Sequence, residues 1–225
     1  MTKQLITSLV VASALLGMSV NLYALDLPKM GGGKKEQAPA GSADASSMQE
    51  GIVRQYDAAS AELMTAQSRL FTAFGLKDEA AKLETAAKAL QSGNVSNGDG
   101  VKKTVQMTKD ADLKIKEEMK KTSALTDEGR KHYATAFLPY AKGVVATNKI
   151  LPELKKFSEA ATSQVKNAGL MDAPKLQSKL SAGMYLVSNL PGHASLLAST
   201  SKDMLTYAKN NNIEVPKDAS DMLKF

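Results

Sequence analysis

The side chains able to do chemistry are few and widely spaced. Only two histidines occur in 225 residues, His132 and His193. Glu128 and His132 lie four apart, so on a helix they would share one face and offer two ligands to a metal. A catalytic zinc takes three protein ligands and a structural zinc four. No third donor falls at a matching interval, so we read the pair as a surface contact and predict no metal site. The chain has no cysteine, which excludes thiol catalysis, cysteine metal centres and haem attachment through thioethers.

Nucleophilic and acid–base chemistry lack an assembled set of groups. No GxSxG elbow is present, and the many serines fall at helix caps or among small residues, where hydroxyls serve the backbone. The acids of "DAD" (Asp110 and Asp112) and "EE" (Glu117 and Glu118) lie in a lysine-rich stretch, where a solvated face is the ordinary outcome. Paired carboxylates act as acid and base only in a cleft that shifts their proton affinities. "GNVSNGDG", residues 93–100, has calcium-loop composition, but its oxygens miss the 1, 3, 5, 12 spacing and no glutamate closes it. It reads as a turn. No glycine-rich phosphate loop follows a strand. These readings predict no catalytic residue and no cofactor, and favour binding over turnover.

The elements that would position any site are helical. Ser47 and Glu50 have capping-box spacing, which predicts a helix from there. Its apolar residues Ile52, Tyr56, Ala59, Leu63, Ala66, Leu70 and Phe74 step by four and three, and Gly75 supplies a stop. Val53, Met64 and Phe71 widen the stripe beyond a two-stranded seam, as in a bundle. A second helix is predicted over 77–92 and a third over 101–123. In the third, Lys114 with Glu118 and Glu117 with Lys121 are spaced for ion pairs on an exposed face. Thr126 should cap a fourth helix, with Asp127 and Glu128 in its first turn, and Pro139 should bend it. Pro152 should start a further helix ending near Asn167. Asp172 should cap another that breaks at "NLPG", residues 189–192. A last long helix over 193–210 and a short one from Asp218 complete an all-α bundle of seven or eight helices, with no sheet.

The N-terminus carries an address. Lys3 precedes "LITSLVVASALLGMSV", an uncharged run too short to span a bilayer but suited to a secretory signal, with cleavage expected after Ala24. Residues 25–47 have no apolar periodicity and are rich in Gly, Ser, Ala and Pro, which predicts a flexible leader. Residues 48–225 are expected to form a single helical domain. Export places the chain in the bacterial envelope, with the periplasm favoured over the exterior.

Two further features suggest how the chain could act. Residues 180–201 contain no Asp, Glu, Lys or Arg, and Pro191 with Gly192 should fold them into two arms. These are either buried helix ends meeting at a turn or, with Tyr185 and Leu186, a hairpin that enters a membrane. Charge is also uneven: residues 48–128 hold 12 basic and 13 acidic side chains, whereas residues 129–225 hold 13 and 7. A basic half in an exported protein suits an envelope protein or an anionic envelope component. Nucleic acid is not expected, because no aromatic residues interleave with the lysines. Lys142, Lys149, Lys155, Lys156 and Lys166 are the candidate contact residues.

Overall fold

The structure is a computed structural model that describes residues 44–93 and 96–224. The expected signal segment (residues 1–24), most of the expected leader (25–47) and part of the 93–100 turn lie outside the described residues. Seven helices occur among the described residues, with no strand: α1 (Ala45–Ala73), α2 (Lys77–Gln91), α3 (Gly98–Lys121), α4 (Asp127–Asn167), α5 (Ala173–Lys179), α6 (Ser181–Asn210) and α7 (Lys217–Met222). The four long helices form the bundle. Around its ring α1 packs on α3 and α4, and α6 closes the ring against the same two; α2 lies outside against α1, and α7 against α4.

Two apolar clusters fill the bundle and fix the helix directions. One joins Ile52 and Tyr56 of α1, Val101 and Val105 of α3, Ile150, Leu154 and Phe157 of α4, and Leu186 and Leu190 of α6. The other joins Leu63 and Leu70, Ile115, Tyr133 and Val144, and Leu197 and Met204. The early halves of α1, α3 and α6 thus meet the late half of α4, so three helices run one way and α4 runs back. Two glycines permit close approach. A Cβ on Gly143 would lie 2.5 Å from Leu63 Cγ and 3.0 Å from the Ala59 carbonyl oxygen, and one on Gly183 would lie 2.5 Å from Phe157 Cζ.

Local signals set several helix ends. The Thr126 side chain accepts from the Gly129 N–H at 3.0 Å, as its position predicts. Gly75 adopts φ 81°; its N–H donates to the Thr72 carbonyl and that of Leu76 to Phe71, the paired bonds of a Schellman stop. The ion pairs expected on α3 form, Lys114–Glu118 at 3.2 Å and Lys121–Glu117 at 2.5 Å.

Four boundaries differ from the sequence reading. First, α1 starts earlier, because Asp44 and not Ser47 is its cap, accepting from the Ser46 and Ser47 N–H groups. Residues 45–47 are therefore helical, and Glu50 is paired with Arg54 instead. Second, α3 begins at Gly98, where the Asn97 side chain accepts from Gly100 N–H. Third, Pro152 starts no helix: α4 runs unbroken for 41 residues with Pro139 and Pro152 inside it. Fourth, "NLPG" is no break. The boundary falls at Leu180 between α5 and α6, and Pro191 and Gly192 lie within 30 continuous helical residues.

Packing outweighs the proline penalty of about 3 kcal/mol because the flanking residues are core: Leu154 and Phe157 after Pro152, and Leu190, His193 and Leu197 around Pro191. Pro139, itself buried, has a specific remedy. Lacking an N–H, it leaves the Thr135 carbonyl without its helical donor, and Arg69 of α1 donates Nη1 to that oxygen at 2.6 Å.

Candidate functional site

The five candidate lysines all fall on α4 and all are exposed. Lys142, Lys149 and Lys156 repeat every seven residues, so they form one stripe about 21 Å long at 1.5 Å per residue. Lys155 and Lys166, eleven apart, share a second stripe to one side. None of the five pairs with a carboxylate among the described residues, whereas Arg130 and His132 near the start of the helix do. Two acids of α4 lie three or four residues from these lysines: Glu153, which accepts from Gln55 Nε2 of α1 at 2.8 Å, and Glu159, which is exposed and lines a groove with Lys155. The five lysines thus outnumber the two acids beside them and form no ion pair among the described residues, which leaves the face a net positive charge that can attract an anionic surface.

The residues singled out in 180–201 do not form a hairpin. Leu186 is buried in the core, Tyr185 is half-buried, and Pro191 and Gly192 are exposed on successive positions of α6. No helix among the described residues is long and apolar enough to cross a membrane. Two of the candidates from separate sites do come together: Pro191 and Lys155 line one groove of about 520 Å³ between α4 and α6, with Leu151, Leu154 and Val187 as its apolar wall.

Glu128, exposed, and His132, half-buried, lie 3.8 Å apart near the start of α4. No group of three or more His, Asp or Glu ligands that could hold a metal is found among the described residues. This pair is a helix-face contact.

The structure also assembles a polar cluster that the sequence reading missed. Asp112, expected on the solvated face of α3, is fully buried. Its Oδ1 accepts from Gln67 Nε2 at 3.0 Å and from the Tyr140 hydroxyl at 2.9 Å. Gln67 Nε2 also donates to the Thr108 carbonyl at 2.9 Å. His193 Nε2 stands 3.9 Å from Asp112 Oδ2, with no solvent access at either side chain. Neither atom has a hydrogen-bond partner among the described residues, nor do His193 Nδ1 and the hydroxyls of Ser60, Thr147 and Thr200.

Burial governs the protons of this cluster. It pushes Asp112 up to about 7, against the opposing pull of the Gln67 and Tyr140 hydrogen bonds and the Lys116 charge. It pulls His193 down to about 4, with Lys109 adding to the effect. Tyr140 is held well above the ordinary phenol range by burial and by the adjacent Asp112. The arrangement can hold one proton in the core, but a group with no exposed surface cannot reach a substrate.

A signal for it exists in the spacing. Val101, Val105, Thr108, Asp112, Ile115 and Met119 step by four and three, so Asp112 lies on the inner stripe of α3 while Asp110 lies off it. His193 occupies the same kind of position between Leu190 and Leu197. Comparison of the chain with family models, with curated proteins and with solved structures finds no match.

Proposed function

We propose that the chain is an exported envelope protein, periplasmic in its mature form, that works by binding an anionic envelope component through the lysine face of α4. The observation that carries this reading is the stripe Lys142–Lys149–Lys156, spaced at seven-residue intervals, exposed and in no ion pair among the described residues. Binding is favoured over turnover because the one buried acid–imidazole pair, Asp112 with His193, has no path to a substrate. Export is supported by the N-terminal run behind Lys3 alone.

Retention of the labelled mature chain on washed envelope membranes, at low and at moderate salt, tests the reading. Contacts between exposed charges weaken as the screening length shortens from about 10 Å at 0.1 M salt to about 3 Å at 1 M. The wild type should be retained and released by salt, and K142E/K149E/K156E should be retained weakly with little salt dependence. Equal retention of both proteins overturns the proposal. N-terminal sequencing of the exported protein checks the leader, since a start at Leu25 is expected and a start at Met1 overturns cleavage.

A further inference from the structure

The connection between α4 and α5 presents two large apolar side chains to solvent side by side. Leu170 is 88% exposed and Met171 83%, the two highest values among the exposed large hydrophobic residues; the next, Leu113, is 54%. The turn that carries them is closed, since the N–H groups of Asp172 and Ala173 both donate to the Gly169 carbonyl, at 2.9 and 3.0 Å. The pair is thus held at an apex by backbone hydrogen bonds. Such presentation lowers the ordering cost of inserting the side chains into another phase.

Charge surrounds the apex. Lys166 precedes Leu170 by four residues, and Lys175 and Lys179 follow on α5, all exposed. Asp172 is the single acid in the stretch 166–179 and lies 4.0 Å from Lys175, so the surroundings keep a net positive charge. The two lysine stripes of α4 run toward this end. The helical chain also begins there: Gln164 Nε2 of α4 donates to Asp44 Oδ1 at 3.4 Å, and Gln49 Nε2 of α1 donates to the Lys179 carbonyl at 2.9 Å.

We propose that the 168–172 turn is a membrane-contacting tip that inserts Leu170 and Met171 between the headgroups of an anionic phospholipid surface, while Lys166, Lys175 and Lys179 sit on the phosphates. One or two apolar side chains give only weak partitioning, and a basic collar is the second signal that makes it stable. No helix among the described residues is suited to spanning, so the tip would lie in the interface and the bundle would stand on it by one end. The proposal rests on the lysine-face reading and names the anionic component as lipid.

The test uses the mature chain with vesicles of phosphatidylglycerol and phosphatidylethanolamine, and with vesicles of phosphatidylcholine alone. The wild type should sediment with the first and not the second, and L170S/M171S should bind about tenfold more weakly, in line with the loss of one of two anchoring signals. Because the chain has no cysteine, Leu170→Cys gives a unique site for an environment-sensitive fluorophore. Its emission should rise on adding the anionic vesicles, whereas the same label at Leu113→Cys on α3 should not respond.

Equal sedimentation of wild type and L170S/M171S, or an unresponsive label at position 170, overturns the tip. If the wild type ignores both vesicle types yet is retained on envelope membranes through the α4 lysines, the tip fails and the lysine-face reading stands. If retention is also independent of those lysines, both fail.

Discussion

At the scale of single residues, the buried pair Asp112 and His193 makes a signed prediction about pH. The fold favours protonated Asp112, pushed up to about 7 from 3.8. Its contribution to stability is therefore full below pH 3.8 and lost as pH rises through about 7. The fold favours neutral His193, pulled down to about 4 from 6.5. Its contribution is full above pH 6.5 and lost as pH falls through about 4. Between about 4 and 6.5 the folded state holds a proton on Asp112 that the unfolded chain has released, and the unfolded chain holds one on His193 that the folded state has released.

The two slopes cancel in that window. Asp112→Asn leaves the His193 slope, so stability should rise with pH by up to about 1.4 kcal/mol per pH unit. His193→Gln leaves the Asp112 slope and should make stability fall by a similar amount. Urea unfolding of the three proteins across the window, read as differences from the wild type, checks this; parallel profiles would refute the assignment. Asp112 escaped the sequence reading because a charge beside lysines ordinarily faces water. Only the partner helices reveal that Gln67 and Tyr140 wait to receive it. What was legible of the five α4 lysines is their exposure, because they fall off the inner stripe of the helix.

At the scale of elements, what could be read depended on whether a helix end is satisfied within its own residues. Thr126 with Gly129 and Gly75 with Thr72 are complete within a few positions, and both were visible. Pro152 and Pro191 were read as boundaries because a proline removes a donor and crowds the preceding turn. What keeps them inside α4 and α6 is the burial of neighbours such as Phe157 and Leu197, which depends on other helices. Pro139 shows the mechanism in its most specific form, since the Arg69 guanidinium replaces the missing amide at the Thr135 carbonyl.

A double-mutant cycle isolates that replacement. Arg69→Met should destabilise the fold by about 1–3 kcal/mol, the cost of removing a charged donor from a backbone acceptor. In a Pro139→Ala background the restored N–H takes the Thr135 carbonyl, so the same Arg69 change should cost about 1 kcal/mol less. Additive costs in chemical denaturation would show that the guanidinium is only a surface contact.

At the scale of the whole molecule, the two apolar clusters meet at a polar layer to which each long helix contributes: Ser60 from α1, Thr108 from α3, Thr147 from α4 and His193 from α6. Each residue lies on the inner stripe of its own helix, yet their alignment at one level follows from three helices running one way and α4 running back, which no single stripe encodes. Thr108 satisfies its hydroxyl on the Thr104 carbonyl at 2.9 Å, but the Ser60 and Thr147 hydroxyls have no partner among the described residues. A buried hydroxyl left without a partner costs about 1–3 kcal/mol, so this layer is where the two halves of the bundle are coupled least.

Native-state hydrogen exchange should accordingly resolve two openings. Amides around the smaller cluster, at Val101, Val105, Ile150 and Leu154, should exchange at a lower free energy than those at Ile115, Phe137, Tyr140 and Val144 in the larger one. In S60A/T147V the Ser60 hydroxyl is deleted and that of Thr147 is replaced by a methyl group, which relieves the native state of their desolvation penalty, so both sets of amides should gain protection by about 1–2 kcal/mol. A single free energy for all these amides in the wild type would mean that the layer does not divide the bundle. Unchanged protection of both sets in the double variant would mean that the unpaired hydroxyls cost the native state nothing.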